Sequence, residues 1–168
     1  MLVGARHHEA VQAAAGEFGG VRRRFETVGE AAGVTMIDDY AVHPTEVRAV
    51  LSAARQRFPG RRLVACFQPH TYSRASYLLE GLRDCFADFD ALYILRTYAA
   101  RETADAGLDA RALASEITAP AATYVDSLLE AVERIAAGLE EGDVVLTLGA
   151  GDVTKLGPML LERLERQR

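Results

Sequence analysis

Two short segments concentrate the side chains able to do chemistry. The first, Asp38-Asp39-Tyr40-Ala41-Val42-His43-Pro44-Thr45-Glu46, sets two carboxylates, a phenol and an imidazole directly after the apolar run Val34-Thr35-Met36-Ile37. Carboxylates there could orient an amine or bind Mg²⁺ as hard oxygen ligands. Alternatively, one caps the following helix and the other is solvated. His43 could transfer a proton, because imidazole titrates near neutrality, or it could simply be the N-cap before Pro44. The second segment, Gln68-Pro69-His70-Thr71-Tyr72-Ser73-Arg74, follows the apolar run Leu63-Val64-Ala65-Cys66-Phe67. Arg74 offers a two-pronged fork for a carboxylate or phosphate. Four residues from His70, it would share a helical face with that imidazole. The bland alternative is a surface ion pair with Glu80 or Asp84.

A third segment, Gly149-Ala150-Gly151-Asp152, follows the apolar run ending at Leu148. Its glycines could let backbone N–H groups approach an anion at a helix N-terminus, or could form a tight turn. It is neither a dinucleotide fingerprint nor a P-loop, and no G-x-x-x-x-G-K-[ST] occurs in the chain. The polar loop 98–108 is long for a connection, and reads as a lid over the site or as a mobile segment.

The elements that must position these groups alternate. The spacing predicts a helix over 5–18, a strand over 21–28, a turn over 29–33 and a hairpin-partner strand over 34–37. Helix 44–58 and strand 62–67 follow, then helix 73–87, strand 91–96, helix 109–118, strand 122–125, helix 127–139, strand 143–148 and a last helix over 153–166. This alternation implies an α/β, Rossmann-like fold with a mostly parallel six-stranded sheet, helices on both faces and a first strand that is antiparallel. Residues 1–20 stand apart as an appended helix, and residues 21–168 form the domain. Both carboxylate and imidazole clusters then fall at carboxyl ends of strands, the edge where such folds bind ligands.

Composition narrows the function classes. At 168 residues, 49% hydrophobic and 26% charged, the chain suits one soluble domain with its own core. Its net charge of −5 argues against a nucleic-acid partner, despite Arg22-Arg23-Arg24. No apolar run approaches the ~20 residues that span a bilayer. The N-terminal residues lack a signal-peptide apolar region, so a cytoplasmic location is the expectation. Cys66 and Cys85 fit no zinc spacing and read as buried thiols. His7 and His8 are adjacent and cannot face one another on a helix.

Taken in order, D-D-Y-A-V-H-P-T-E, F-Q-P-H-T-Y-S-R, Y-A-A-R-E and L-G-A-G-D resemble the C-terminal domain of the Mur ligases, specifically the UDP-N-acetylmuramate–L-alanine ligase family. The resemblance runs from about Val21 to the C-terminus. It implies an ATP-dependent ligase, assisted by Mg²⁺, that joins L-alanine to UDP-N-acetylmuramate in peptidoglycan precursor synthesis. The family divides this work among three domains, with the P-loop in the central one. Residues 1–20 would then be a remnant helix of that central domain, and this chain alone would not turn over or hold ATP tightly. The resemblance assigns Asp39 and His43 to catalysis, and Tyr40, His70 and Arg74 to the amino acid, Arg74 holding its carboxylate. It places Arg24, Gly149, Gly151 and Asp152 near the nucleotide, and assigns no resident metal ligand. Two departures stand out. Val42 occupies the place of a usual histidine, and Thr71 that of an arginine found in some members. The alternatives are a domain of the related ligase that recycles the murein tripeptide, or a non-catalytic amino-acid-binding or regulatory module.

Overall fold

Strands that are apolar on both sides require cover on both faces, and this protein supplies it. The structure, a computed structural model, describes residues 22–166. The expected helix over 5–18, and with it the remnant over 1–20, lies outside these residues. In chain order the elements are β1 (Glu26–Ala31), β2 (Val34–Asp39), α1 (Pro44–Arg57), β3 (Leu63–Phe67), α2 (Tyr72–Asp84), β4 (Ala91–Leu95), α3 (Ala110–Glu116), β5 (Ala122–Val125), α4 (Leu128–Ala137), β6 (Val144–Leu148) and α5 (Leu156–Glu165). One six-stranded sheet has the order β1-β2-β6-β3-β4-β5. β1 runs antiparallel to β2, and every other pairing is parallel.

Alternate strand residues feed two cores. Ile37, Ala65, Phe67, Ile94 and Leu146 face α1, α2 and α3 through Val47, Leu51, Leu82 and Leu113. Met36, Val64, Cys66 and Val145 face α4 and α5 through Ala131, Ile135, Leu156 and Leu160. The helix after β6 thus covers one face, while those after its neighbours β2 and β3 cover the other. Crevices therefore open at the carboxyl ends on either side of β6, where such sheets place their ligands.

The start of β1 departs from the expected strand over 21–28. Arg23 and Phe25 take positive φ values of 60 and 50, because their groups are drawn to Asp38 and Asp39 rather than into the ladder. The expected turn over 29–33 contracts to Ala32 and Gly33, φ 51 and 76, the backbone that a two-residue hairpin favours. Gly29 instead lies within β1, where a Cβ would come 2.8 Å from Leu161 Cδ1 of α5. Cys66 and Cys85 are buried free thiols, and burial pushes both up to about 12.

Candidate active site

At the β2–α1 junction the polar side chains turn inward. Asp38 Oδ2 accepts from Arg23 Nε at 2.8 Å and from Thr154 Oγ1 at 3.0 Å, and Asp38 Oδ1 accepts from Thr147 Oγ1 at 2.5 Å. Arg23 also donates to the carbonyl oxygens of Gly149 and Ala150. Asp39 Oδ2 accepts from the Phe25 N–H at 2.7 Å and Oδ1 from the Ala41 N–H at 2.8 Å. Burial raises the Asp39 carboxyl above its usual 3.8, although those N–H groups and the Arg24 charge pull the other way. Neither acid is a solvated residue or a helix cap.

The cap is His43. Its Nδ1 accepts from the Thr45 N–H at 3.2 Å, so neutral His43 carries its proton on Nε2. Glu46 closes the turn by accepting from the N–H groups of Val42 and His43 at 2.9 and 3.0 Å. Burial opposes ionisation of Glu46, yet those two N–H groups hold its carboxyl below the usual range. Tyr40 is exposed, with the guanidinium carbons of Arg23 and Arg24 at 5.1 and 5.8 Å from its ring centre. Arg24 is exposed and has no ion pair among the described residues.

The β3–α2 junction is built differently. α2 begins at Tyr72, after Thr71 at φ 63 and ψ 150. His70 therefore precedes the helix, and the expectation of a shared helical face with Arg74 fails. His70 instead pairs with Tyr98 in a short bridge and stacks on its ring, 5.7 Å between centroids. Both residues nonetheless reach one place. Val42, Phe67, His70, Arg74, Ala75 and Leu78 line a shallow apolar notch of about 10 Å³. Arg74 is exposed, and among the described residues it forms no ion pair, neither with Glu80 nor with Asp84. A guanidinium and an imidazole thus border a recess with room for about one methyl group.

Beside it, a crevice of about 430 Å³ is bounded by Gln68, Tyr72, Arg96, Thr97, Tyr98 and Asp152. Gln68 organises its floor. Its amide donates to Asp152 Oδ1 at 2.7 Å and to the Arg96 carbonyl at 3.2 Å, while its Oε1 accepts from the Val153 N–H at 3.0 Å. The loop 149–152 packs tightly on this residue. A Cβ on Gly151 would lie 2.3 Å from Gln68 Oε1, and one on Gly149, φ 141, would lie 2.8 Å from the Gln68 carbonyl. The Gly149 N–H is given to the Asp39 carbonyl at 3.1 Å. The glycines thus serve close packing, and the N–H groups of Gly149 and of Val153, just past the loop, are already taken. Thr97 Oγ1 is buried without a hydrogen-bond partner among the described residues.

Sequence reasoning weighed neither Gln68 nor Glu102, although both lie in quoted motifs. The loop after Tyr98 is not a free lid. Glu102 accepts from the N–H groups of Tyr72 and Ser73 at 2.8 and 3.0 Å and from the Ser73 hydroxyl, and the Leu108 N–H donates to Ser76 Oγ at 2.8 Å. A separate open groove of about 500 Å³ lies between α1 and the end of α2, away from the strand ends.

Known proteins place this arrangement. The profile of the family described as Mur ligase, glutamate ligase domain, matches residues 23–151. The chain belongs to the Mur ligase family. UDP-N-acetylmuramate–L-alanine ligases of Roseiflexus sp. (strain RS-1) and Roseiflexus castenholzii are 46% and 48% identical to this Mur ligase domain over 95% and 90% of its length. It spans only about a third of those relatives, 34% and 32%. The solved UDP-N-acetylmuramate-alanine ligase of Thermotoga maritima superposes with a TM-score of 0.68 at 25% identity, covering 95% of this chain and 36% of that one. A murein peptide ligase of Psychrobacter arcticus has the same fold, TM-score 0.73 at 22% identity, over 91% of this chain and 32% of that one. Among the described residues no helix is long and apolar enough to cross a membrane.

Proposed function

We propose that this domain presents L-alanine for amide bond formation with UDP-N-acetylmuramate in an ATP-dependent ligase of peptidoglycan precursor synthesis. The observation that carries the reading is the exposed Arg74 guanidinium, free of ion pairs among the described residues, beside His70 at the mouth of an apolar notch. Arg74 holds the carboxylate through its planar fork. The notch walls of Val42 and Leu78 receive a small side chain, leaving the amine directed away from the domain.

ATP with Mg²⁺ supplies the phosphoryl group that activates the muramyl carboxylate. The groups present fit part of that task. Arg24 is exposed at the junction and suits a phosphate oxygen. The oxygens of Asp38 and Asp39 are engaged internally, so this reading assigns them no metal. Asp39 and His43 act by fixing the chain's entry into the site and the start of α1. Lacking a P-loop sequence, the chain alone has no turnover in this reading.

The test mixes this chain with separately produced N-terminal and central domains of such a ligase. Phosphate release is followed with ATP, Mg²⁺, UDP-N-acetylmuramate and L-alanine. Alanine-dependent release that disappears with Arg74→Ala is expected. Release by this chain alone, or a mixture indifferent to Arg74, would sink the reading.

A further inference from the structure

The first turn of α2, which carries Arg74, has no cap of its own. Thr71 stands at the N-cap with no side-chain capping bond to the helix and in a left-handed φ of 63. A β-branched residue rarely adopts that backbone unless its surroundings impose it. The first N–H groups of a helix need partners, and here they come from Glu102, some thirty residues along the chain. Its carboxylate takes the N–H groups of Tyr72 and Ser73 with one oxygen and the Ser73 hydroxyl with the other. The Ser73 hydroxyl, followed by its N–H, holds Glu102 below the usual carboxylate range, so it is charged at neutral pH. The same loop holds the other side of the junction. Thr71 N–H donates to the Tyr98 carbonyl and Tyr98 N–H to the Pro69 carbonyl, both at 2.9 Å, while the Tyr98 ring stacks on His70.

We infer that Glu102 is a positioning residue for the amino-acid site: as a carboxylate cap supplied from the loop after β4, it fixes α2's first turn and so aims Arg74 at the ligand. It also occupies the N-terminal donors of α2, which otherwise attract anions. The ligand carboxylate is thereby left to Arg74. His70 and Arg74 are set by one clamp, because residues 98–102 grip the chain on both sides of Thr71. This inference rests on Arg74 being the carboxylate contact.

Two measurements test it separately from that reading. In the chain alone, Glu102→Ala is expected to speed amide hydrogen exchange at Tyr72, Ser73 and Arg74 by about tenfold or more, leaving Val47 to Leu51 of α1 unchanged. In the mixed assay, Glu102→Ala is expected to raise the KM for L-alanine about tenfold while kcat stays within about twofold. Glu102→Gln, whose amide oxygen still accepts N–H groups, should recover part of that KM. If Glu102→Ala does not fold, Glu102→Gln and Ser73→Ala carry the same comparison with smaller shifts. A fall in kcat at unchanged KM, or unaltered exchange in α2, overturns the inference. An assay in which the unaltered chain shows no Arg74-dependent response to alanine instead condemns the reading beneath it, and the exchange result still decides the cap.

Discussion

The β2–α1 and β3–α2 junctions have similar sequences on paper, each with an imidazole, a phenol and charge at the carboxyl end of a strand, and they are used in opposite ways. At β2–α1 the chemistry is consumed by the fold. Asp38 gathers Arg23, Thr147 and Thr154, Asp39 takes two backbone N–H groups, and His43 with Glu46 caps its own helix. At β3–α2 the helix is left uncapped by its own residues, a distant carboxylate closes it, and His70 and Arg74 stay at the surface. The lesson is that a rich motif can be used up by the junction it builds, while a group without an ion-pair partner among the described residues stays available at the surface.

The largest effect that could break this contrast is on Asp38. Its side chain is 2% exposed and that of Arg23 is 20%. Removing one partner of a buried pair strands the other, so Asp38→Ala should cost about 3–5 kcal/mol in urea unfolding. A cost below about 1 kcal/mol would show that the junction does not depend on the pair.

Asp39 comes next. In Asp39→Asn the amide NH₂ must face the N–H of either Phe25 or Ala41, a donor against a donor, for about 1–3 kcal/mol. The pH dependence has a definite sign. Burial raises the folded carboxyl above 3.8, so the fold favours the protonated form. That contribution is fully present below 3.8 and is lost as pH rises through the raised value. The unfolding free energy of the unaltered chain minus that of Asp39→Asn should therefore decline across this interval. A difference that grows instead would mean the carboxylate is the form the fold prefers.

How far the sequence reveals all this depends on distance along the chain. The apolar runs at β2, β3 and β6 declare buried strands because their composition is local, and the alternation with helices makes the parallel sheet follow. The start of β1 is obscured, since what bends Arg23 and Phe25 out of the ladder is a pair of acids 13 to 16 residues away. Of the two partners of Asp39, the Ala41 N–H is local, but the Phe25 N–H lies 14 residues back and nothing in the sequence around Asp39 announces it. The role of Glu102 is invisible for the same reason. Its partners Tyr72 and Ser73 sit 30 and 29 residues back, brought near only once β3 and β4 are paired. At Arg74 the sequence suggests a helical face shared with His70 or an ion pair with Glu80 or Asp84, and neither forms among the described residues, because α2 begins only at Tyr72 and Arg74 is exposed.

A smaller effect sharpens the contrast at His43. Loss of an N-cap side chain typically costs about 1 kcal/mol, so His43→Ala should lower stability by that amount, and His43→Asn, a good cap, should restore it. The KM for L-alanine in the mixed assay should not follow either change. A KM that moves with His43→Asn while stability is kept would put the imidazole in the site after all.

The smallest expected stability effect belongs to the residue expected to matter most for binding. Arg74 is exposed, and none of its guanidinium nitrogens has an ion-pair partner among the described residues. Its removal takes away neither a buried contact nor a capping bond, so Arg74→Ala should change the unfolding free energy by less than about 0.5 kcal/mol. A fork suited to bidentate recognition, with no carboxylate paired to it among the described residues, is open to a partner. A stability loss well beyond that bound would mean the guanidinium already serves the fold, and the two junctions would then differ in degree and not in kind.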